Sequence, residues 1–197
     1  MDMNEIKRQI KEAIKAGNDE RAEDLLYQLL KIHDCMSERD SFGLQGKALI
    51  KELVPGTNRA KSMEVVSNVV VADRGLEWIA DLMAGEEPAE SWNYLAVGSD
   101  GMDESFEDDS LGDREAALEC DIAVETGSEG YETLVKFGPV KFEVGTAGDS
   151  VVEAALSAGA ESGSKIFNRL TFAPKDNERN DLELTLYVDV GDLGLEI

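Results

Sequence analysis

The chain has 197 residues, of which 42 are acidic and 19 are Lys or Arg, and its formal net charge at pH 7 is −23. This balance argues against nucleic acid and anionic membranes as partners, because phosphate recognition needs a basic face. The sequence holds no run of 18 apolar residues, so we predict no membrane insertion. One His and two Cys leave little material for nucleophilic or metal-dependent catalysis, and we predict that the chain is not an enzyme.

The acidity indicates a high-salt environment. Hydrophobic residues make up 42% of the chain, so the excess charge is expected on a folded surface around a core. Molar salt shortens the Debye length to about 3 Å and screens the self-repulsion of such a surface. A specific basic partner is the alternative and predicts acids concentrated on one element. Residues 1–40 carry 10 acids and 7 bases, net −3, and residues 41–197 carry 32 and 12, net −20. We therefore favour salt adaptation of a halophilic protein.

Two amphipathic helices are predicted within the first 36 residues. Isoleucines recur every four residues in the first helix, a Gly-Asn pair ends it, and a broad leucine stripe follows over 20–33. A helical hairpin of this size cannot bury both stripes alone, so it docks on its own domain, on other copies or on a partner. We treat residues 1–40 as an assembly or anchoring arm. Its candidate interface residues are Ile6, Ile10, Ile14, Leu25, Leu29 and Leu30.

From residue 41 the pattern changes to the period of two that is typical of strands. The expected fold over 41–197 is mainly β, an antiparallel β-sandwich or jelly-roll-like domain with one inserted helix. Strands are predicted at 44–53, 62–71, 92–97, 116–125, 133–144, 151–155, 166–172 and 182–190. The inserted helix is predicted over 72–84, with an apolar face of Leu76, Ile79, Ala80, Leu82 and Met83.

Four segments of the β region occur in an order that resembles a known class of proteins. They are NVVVADRGLEWIADLM over 68–83, YLAVGSDG over 94–101, DSLGDRE over 109–115, and GSKIFNRLTFAP over 163–174. Together they resemble small β-sandwich structural proteins of tailed-phage and tailed-archaeal-virus virions, of the tail-fibre, baseplate or capsid-surface type. The resemblance covers residues 43–191, and the helical arm lies outside it.

The resemblance implies a structural component of a virion, assembled in the host cytoplasm, with no catalytic residues. Its implied partners are other virion proteins and further copies of itself, in three-, five- or sixfold arrangements. A receptor- or glycan-binding module at a fibre or spike is the alternative function. The loop over 100–113 is longer and more acidic than this class of proteins leads us to expect, so its role does not transfer.

That acidic loop is the one candidate for a bound ion. Its carboxylates are the oxygen ligands that Ca²⁺ or Mg²⁺ prefers, but their spacing does not fit an EF-hand. We favour a solvated loop, with an ion site as the alternative and otherwise no cofactor. The candidate ligands are Asp100, Asp103, Asp108 and Asp109.

The remaining residues with characteristic chemistry have structural interpretations. His33 and Cys35 lie at the predicted end of the second helix, and Cys120 lies far from them in a predicted strand, so we do not expect a metal site there. Reduced thiols are favoured, and a disulfide between the two Cys is the alternative. Trp78 and Trp92 are expected in the core.

Overall fold

The computed structural model describes residues 3–18, 21, 22, 24, 25, 28, 44–71, 73–84, 91–102, 107–126 and 133–190. Within them the chain is mainly β, as the alternating pattern predicted. Helix α1 spans Met3–Lys15, and helix α2 spans Asp73–Ala84. The strands are β1 Leu44–Leu53, β2 Ala60–Val71, β3 Tyr94–Gly98, β4 Arg114–Glu119, β5 Ile122–Thr126, β6 Thr133–Phe142, β7 Val151–Ser157, β8 Asn168–Lys175 and β9 Asp181–Val190.

All neighbouring strands pair antiparallel in the order β4-β3-β7-β8-β2-β1-β9-β6-β5. We call β5-β6-β9-β1-β2 the first sheet and β8-β7-β3-β4 the second sheet. The two are joined where Val70 and Val71 of β2 pair with Arg169 and Asn168 of β8.

One hydrophobic core takes side chains from both sheets. The first sheet contributes Ile50, Phe142 and Leu184, and the second contributes Leu95 and Leu156, all nearly inaccessible to solvent. Burying a side chain of this size contributes roughly 1.5–3 kcal/mol to folding. Four residues of β9 that were predicted to alternate with polar neighbours belong to this core: Leu182, Leu184, Leu186 and Val188.

Helix α1 lies on the opposite face of the first sheet. Its Ile6 and Ile10 form a second apolar cluster with Leu25 and with Leu49 of β1. Gly17 lies in the turn that follows the helix, and its positive φ of 67° suits a residue without a side chain. The hydrophobic spacing therefore identified both this helix and the face that it buries.

Asn18 begins the next helical stretch. Its Oδ1 accepts a hydrogen bond from the backbone N–H of Arg21, the usual contact of an N-cap. Arg21, Ala22, Asp24, Leu25 and Gln28 are helical, and the rest of the predicted second helix lies outside the described residues. Neither the complete helical hairpin nor the division into domains 1–40 and 41–197 is tested by these contacts.

The single strand predicted over 116–125 is wrong, because the chain forms two strands there. The N–H of Cys120 donates to the carbonyl of Asn93, whereas the carbonyl of Asp121 accepts from Gly138 in the first sheet. The chain thus leaves the second sheet at Cys120 and enters the first sheet one residue later. A continuous apolar alternation gives no sign of such a change of partner.

Helix α2 buries only part of the face that the spacing predicted, and the side chains of Leu82 and Met83 lie outside the described ones. Leu76 is 45% exposed, and Ala80 is also exposed. The side chains that pack against the core are Trp78 and Ile79.

No helix among the described residues is long and apolar enough to cross a membrane.

Candidate functional site

A buried arginine organises the end of the molecule where the acidic loop meets β7 and β8. Arg169 of β8 is 4% exposed, although the residue type is normally found at the surface. Its Nε lies 2.8 Å from Oε2 of Glu153, a β7 residue with no exposed surface. Its Nη1 lies 2.9 Å from Oδ2 of Asp108 in the acidic loop. One guanidinium therefore joins two strands of the second sheet to the loop.

The other end of the guanidinium holds the start of the same loop. Nη2 of Arg169 lies 3.4 Å from the carbonyl oxygens of Asp100 and Met102 and 3.7 Å from a carboxylate oxygen of Asp100. The N–H of Asp100 faces Oε1 of Glu153 at 3.4 Å. We call Arg169, Glu153, Asp108 and Asp100 the Arg169 cluster.

The Arg169 cluster depends on a glycine at the end of β3. A Cβ at Gly98 would collide with Oε1 of Glu153 and with the carbonyl oxygen of Asp113. Any side chain at this position would displace the carboxylate that Arg169 holds. Gly98 is therefore needed for the close approach of its backbone to a buried charge.

Burial and charge act in opposite directions within the Arg169 cluster. Desolvation raises the pKa of the Glu153 carboxyl, while Arg169 and the backbone donors of Asp100 and Asp113 oppose that rise. Against desolvation, the hydrogen bonds to Asp108 and Glu153 raise the pKa of Arg169. Breaking such a pair by removing one partner leaves an uncompensated buried charge, which costs about 3–5 kcal/mol.

The acidic residues predicted as ion ligands have other contacts in the structure. Asp100 and Asp108 face Arg169, and the exposed Asp109 lies 3.8 Å from Nε of Arg74. Asp103 lies outside the described residues. No group of three metal-ligating side chains occurs among the residues that the structure describes. The Ca²⁺ or Mg²⁺ site, the alternative to a solvated loop, is not tested by these contacts.

A second arginine fixes the turn that follows β7. Arg114 at the start of β4 donates from Nη1 to the carbonyls of Gly159 and Glu161, at 2.8 and 2.9 Å. Its Nη2 donates to Oγ of Ser157 at 2.8 Å and to the carbonyl of Ser164 at 3.1 Å. Burial lowers the pKa of this guanidinium. We call these contacts the Arg114 cluster, in which backbone carbonyls replace the carboxylates around Arg169.

A buried carboxylate joins two turns of the first sheet. Asp181, 3% exposed, accepts hydrogen bonds from the backbone N–H of Gly56 at 3.0 Å and of Val144 at 3.1 Å. Nζ of Lys141 lies 2.8 Å from the same carboxylate. The hydrogen bond from Lys141 lowers the pKa of Asp181. We call Asp181, Lys141 and the two backbone donors the Asp181 cluster.

The residues predicted for an assembly interface lie partly against the chain's own sheet. Ile6, Ile10 and Leu25 are buried with Leu49, and Ile14 is partly buried against the same cluster. Leu29 and Leu30 are not among the described side chains. The contact that the structure gives is intramolecular, which was the alternative to assembly, and a contact with other copies stays a prediction.

The aromatic residues and the described cysteine belong to the core. Trp92 is 5% exposed, and Phe167 packs edge-on against both Trp78 and Trp92, with ring centroids 6.0 and 5.8 Å away. Burial raises the pKa of the Cys120 thiol to about 11, so this thiol stays protonated and weakly reactive. His33 and Cys35 lie outside the described residues.

Sequence reasoning missed the roles of Arg169, Arg114 and Glu153. A signal was present, because β7 reads VVEAALS with a single charge, and NRLTF in β8 carries one charge of the opposite sign. A single acid in an apolar strand, with a base in the apolar first half of its neighbour, is a pattern that indicates a buried pair. Arg114 had no comparable signal, since it is the first residue of a strand with an ordinary half-exposed pattern.

These contacts define a mainly antiparallel β protein whose loops are fixed by buried ionic groups. Comparison of the chain with protein-family models, curated proteins and solved structures found no match.

Proposed function

We propose that the chain is a structural component of a tailed-virus particle, in the tail, the baseplate, the neck or on the capsid surface. It would act by assembling with copies of itself and docking on neighbouring virion proteins. We infer a jelly-roll-like β-sandwich with a helical hairpin over residues 1–40, in a virus of a halophilic host.

The observation that carries the proposal is the location of the segments behind the resemblance. Arg114 follows the DSLGD segment, and Arg169 lies within the IFNRLTF segment. Each is the centre of one of the two arginine clusters. Two of the segments behind the resemblance therefore have related roles, since the arginine at each one fixes a loop onto the second sheet.

Fixed loops suit a protein that works by contact. A surface that is already ordered loses less conformational entropy when it binds, so preorganisation favours assembly. The Arg169 cluster holds the loop after β3, and the Arg114 cluster holds the turn after β7. The proposal therefore assigns these loops to contacts with neighbouring proteins.

The proposal is tested on particles of the virus that encodes the chain. Particles are banded repeatedly in a density gradient at high salt, and the chain is quantified by mass spectrometry against the major shell protein. We expect a fixed ratio through successive bandings, because a structural component is held at defined sites. A chain that stays in the unbanded lysate would contradict the proposal.

A matched pair of variants tests the arm. Leu29→Asp changes the predicted apolar stripe, and Gln28→Asp introduces the same charge at its exposed neighbour. We expect Leu29→Asp to lose incorporation into particles while circular dichroism of its β domain is retained, and Gln28→Asp to be incorporated normally. Equal incorporation of both variants would contradict an assembly role for the arm.

A receptor- or glycan-binding module makes a different prediction for the same preparations. Such a chain, freed from particles, binds host cells or surface glycans by itself, with saturation. Neither tryptophan offers an open platform for a glycan, because Trp92 is buried and Trp78 packs on Phe167.

A further inference from the structure

Strand β5 ends the hydrogen-bonded order of the first sheet. It pairs with β6 along one edge, and its other edge pairs with no strand among the described residues. Open edges of this kind present unpaired backbone donors and acceptors that a further strand can satisfy. Natural sheets usually protect such edges with charges, prolines or short strands.

The open edge of β5 carries exposed apolar side chains on the core face of the sheet. Ile122 lies opposite Phe137 in the β5–β6 register, and Val124 lies opposite Val135. Phe137 is buried in the core, whereas Ile122 is 52% exposed and Val124 is 66% exposed. Directly paired residues share a face of the sheet, so the apolar face of the first sheet continues beyond its covered part.

We propose that β5 of a second copy pairs antiparallel with β5 about a twofold axis, with Val124 opposite Val124 of the copy. The inference rests on the proposed function in one respect, namely that the chain acts by contact with its own copies. The pairing would join the first sheets of the two copies into one continuous sheet. It would bring the exposed Ile122 and Val124 of both copies together on one face of that sheet.

The register follows from the positions of the acidic residues. A pairing centred on Ala123 sets Asp121 opposite Glu125 of the copy, twice by symmetry. A pairing centred on Glu125 sets that residue opposite itself. Like charges directly opposite each other destabilise a strand pair. The pairing centred on Val124 avoids both, since it sets Ala123 opposite residue 125 and Ile122 opposite residue 126.

The neutral stretch of this edge supports a second copy of the chain as its occupant. In a twofold interface the same patch serves both partners, so the patch must complement itself. Ile122-Ala123-Val124 contains no charge within a chain of net charge −23. This neutral stretch is therefore a place where two strongly acidic copies can approach, particularly when salt screens the rest of the surface.

The test measures the mass of the full chain in molar salt by sedimentation equilibrium. We expect a dimer for the unchanged chain and a monomer for Val124→Asp, because the variant sets two carboxylates opposite each other. Val54→Asp is the matched control, since Val54 is an exposed apolar residue of the β1–β2 turn, 38% exposed, and should leave the dimer intact. A monomeric unchanged chain, or a dimeric Val124→Asp, would overturn the inference.

Oxidative crosslinking tests the register independently of the stability of that variant. Directly opposite residues have Cβ atoms about 4.5–5.5 Å apart, within reach of a disulfide, whereas residues two positions out of register are too far apart. Val124→Cys should therefore give a covalent dimer and Ala123→Cys should not, with the unchanged chain as the control for its native thiols. Equal crosslinking of both variants would overturn the register.

The two proposals can fail separately. A chain found at a fixed ratio in particles but monomeric in solution would overturn the β5 pairing and leave the virion role standing. A chain that dimerises through β5 but is absent from particles would overturn the virion role and leave the β5 pairing standing.

Discussion

The Arg169 cluster and the Asp181 cluster are opposite solutions to the problem of fixing a loop. At Arg169 one buried cation gathers three carboxylates, which leaves an excess of negative charge. At Asp181 one buried carboxylate gathers a lysine and two backbone N–H groups, so its charge is matched. The first arrangement depends on screening of the surplus acids, and the second depends on the ionisation of a single group.

The difference shows which conditions should act on each region. Surplus carboxylates repel one another more strongly as salt is removed. A carboxyl whose pKa is lowered in the folded chain instead loses its stabilising effect when acid protonates it. Removal of salt is therefore expected to weaken the Arg169 cluster more than the Asp181 cluster.

The largest effect is expected from removal of salt. With a net charge of −23, we expect the chain to lose secondary structure below roughly 0.5 M salt, because self-repulsion is then poorly screened. Circular dichroism across a salt series measures it. A signal that stays constant down to low salt would contradict the high-salt adaptation.

Replacement of the central cation should have the next largest effect. Arg169→Met leaves the fully buried Glu153 without its partner, and we expect a loss of about 3–5 kcal/mol in the free energy of unfolding. Denaturant titration in molar salt measures it. Arg179→Met is the control, because Arg179 forms an exposed pair and should change stability by less than about 1 kcal/mol. Equal losses of unfolding free energy in the two variants would show that the Arg169 cluster stabilises the fold no more than an exposed ion pair does.

The smallest of these effects is expected at Asp181. Asp181→Asn keeps an acceptor but removes the charge, and we expect a loss of about 1–3 kcal/mol at neutral pH. Since Lys141 lowers the folded-state pKa, the stabilisation by Asp181 is fully present above the unfolded-state pKa of about 4 and is lost as pH falls through the folded-state pKa.

Stability measured from pH 7 downward checks the sign at Asp181. The difference between the unchanged chain and Asp181→Asn should shrink as the pH falls through that window. Glu183→Gln is a comparison within the same strand, at a partly exposed ion pair with Lys51. A difference between the unchanged chain and Asp181→Asn that is constant with pH would rule out ionisation of Asp181 as its cause.

Much of the fold could be predicted from the sequence because it is local. The four-residue recurrence of Ile6 and Ile10 gave helix α1 and its buried face, and the alternation from Leu182 to Val188 gave β9 and its core side. The division between β4 and β5 could not be predicted, since it depends on Asn93 and Gly138 as backbone partners distant in the sequence.

The candidate site was less accessible to sequence reasoning than the fold. The acidic loop was recognised, and its carboxylates were considered as ligands of an ion, yet two of them face a guanidinium 61 or more positions away. The sequence shows how many acidic residues the loop contains. Which basic residue each of them contacts depends on how the strands pair and where the loop folds back onto them.

The sequence by itself determined the periodicities, the apolar faces of α1 and β9 and the acid excess, because each depends on neighbouring residues or on composition. The tertiary structure decided that Arg169 is buried against Glu153, that Asp181 joins two turns, and that Ile122 and Val124 lie uncovered at an edge. These follow from strand order and register, which bring distant residues together through contacts that no local pattern encodes.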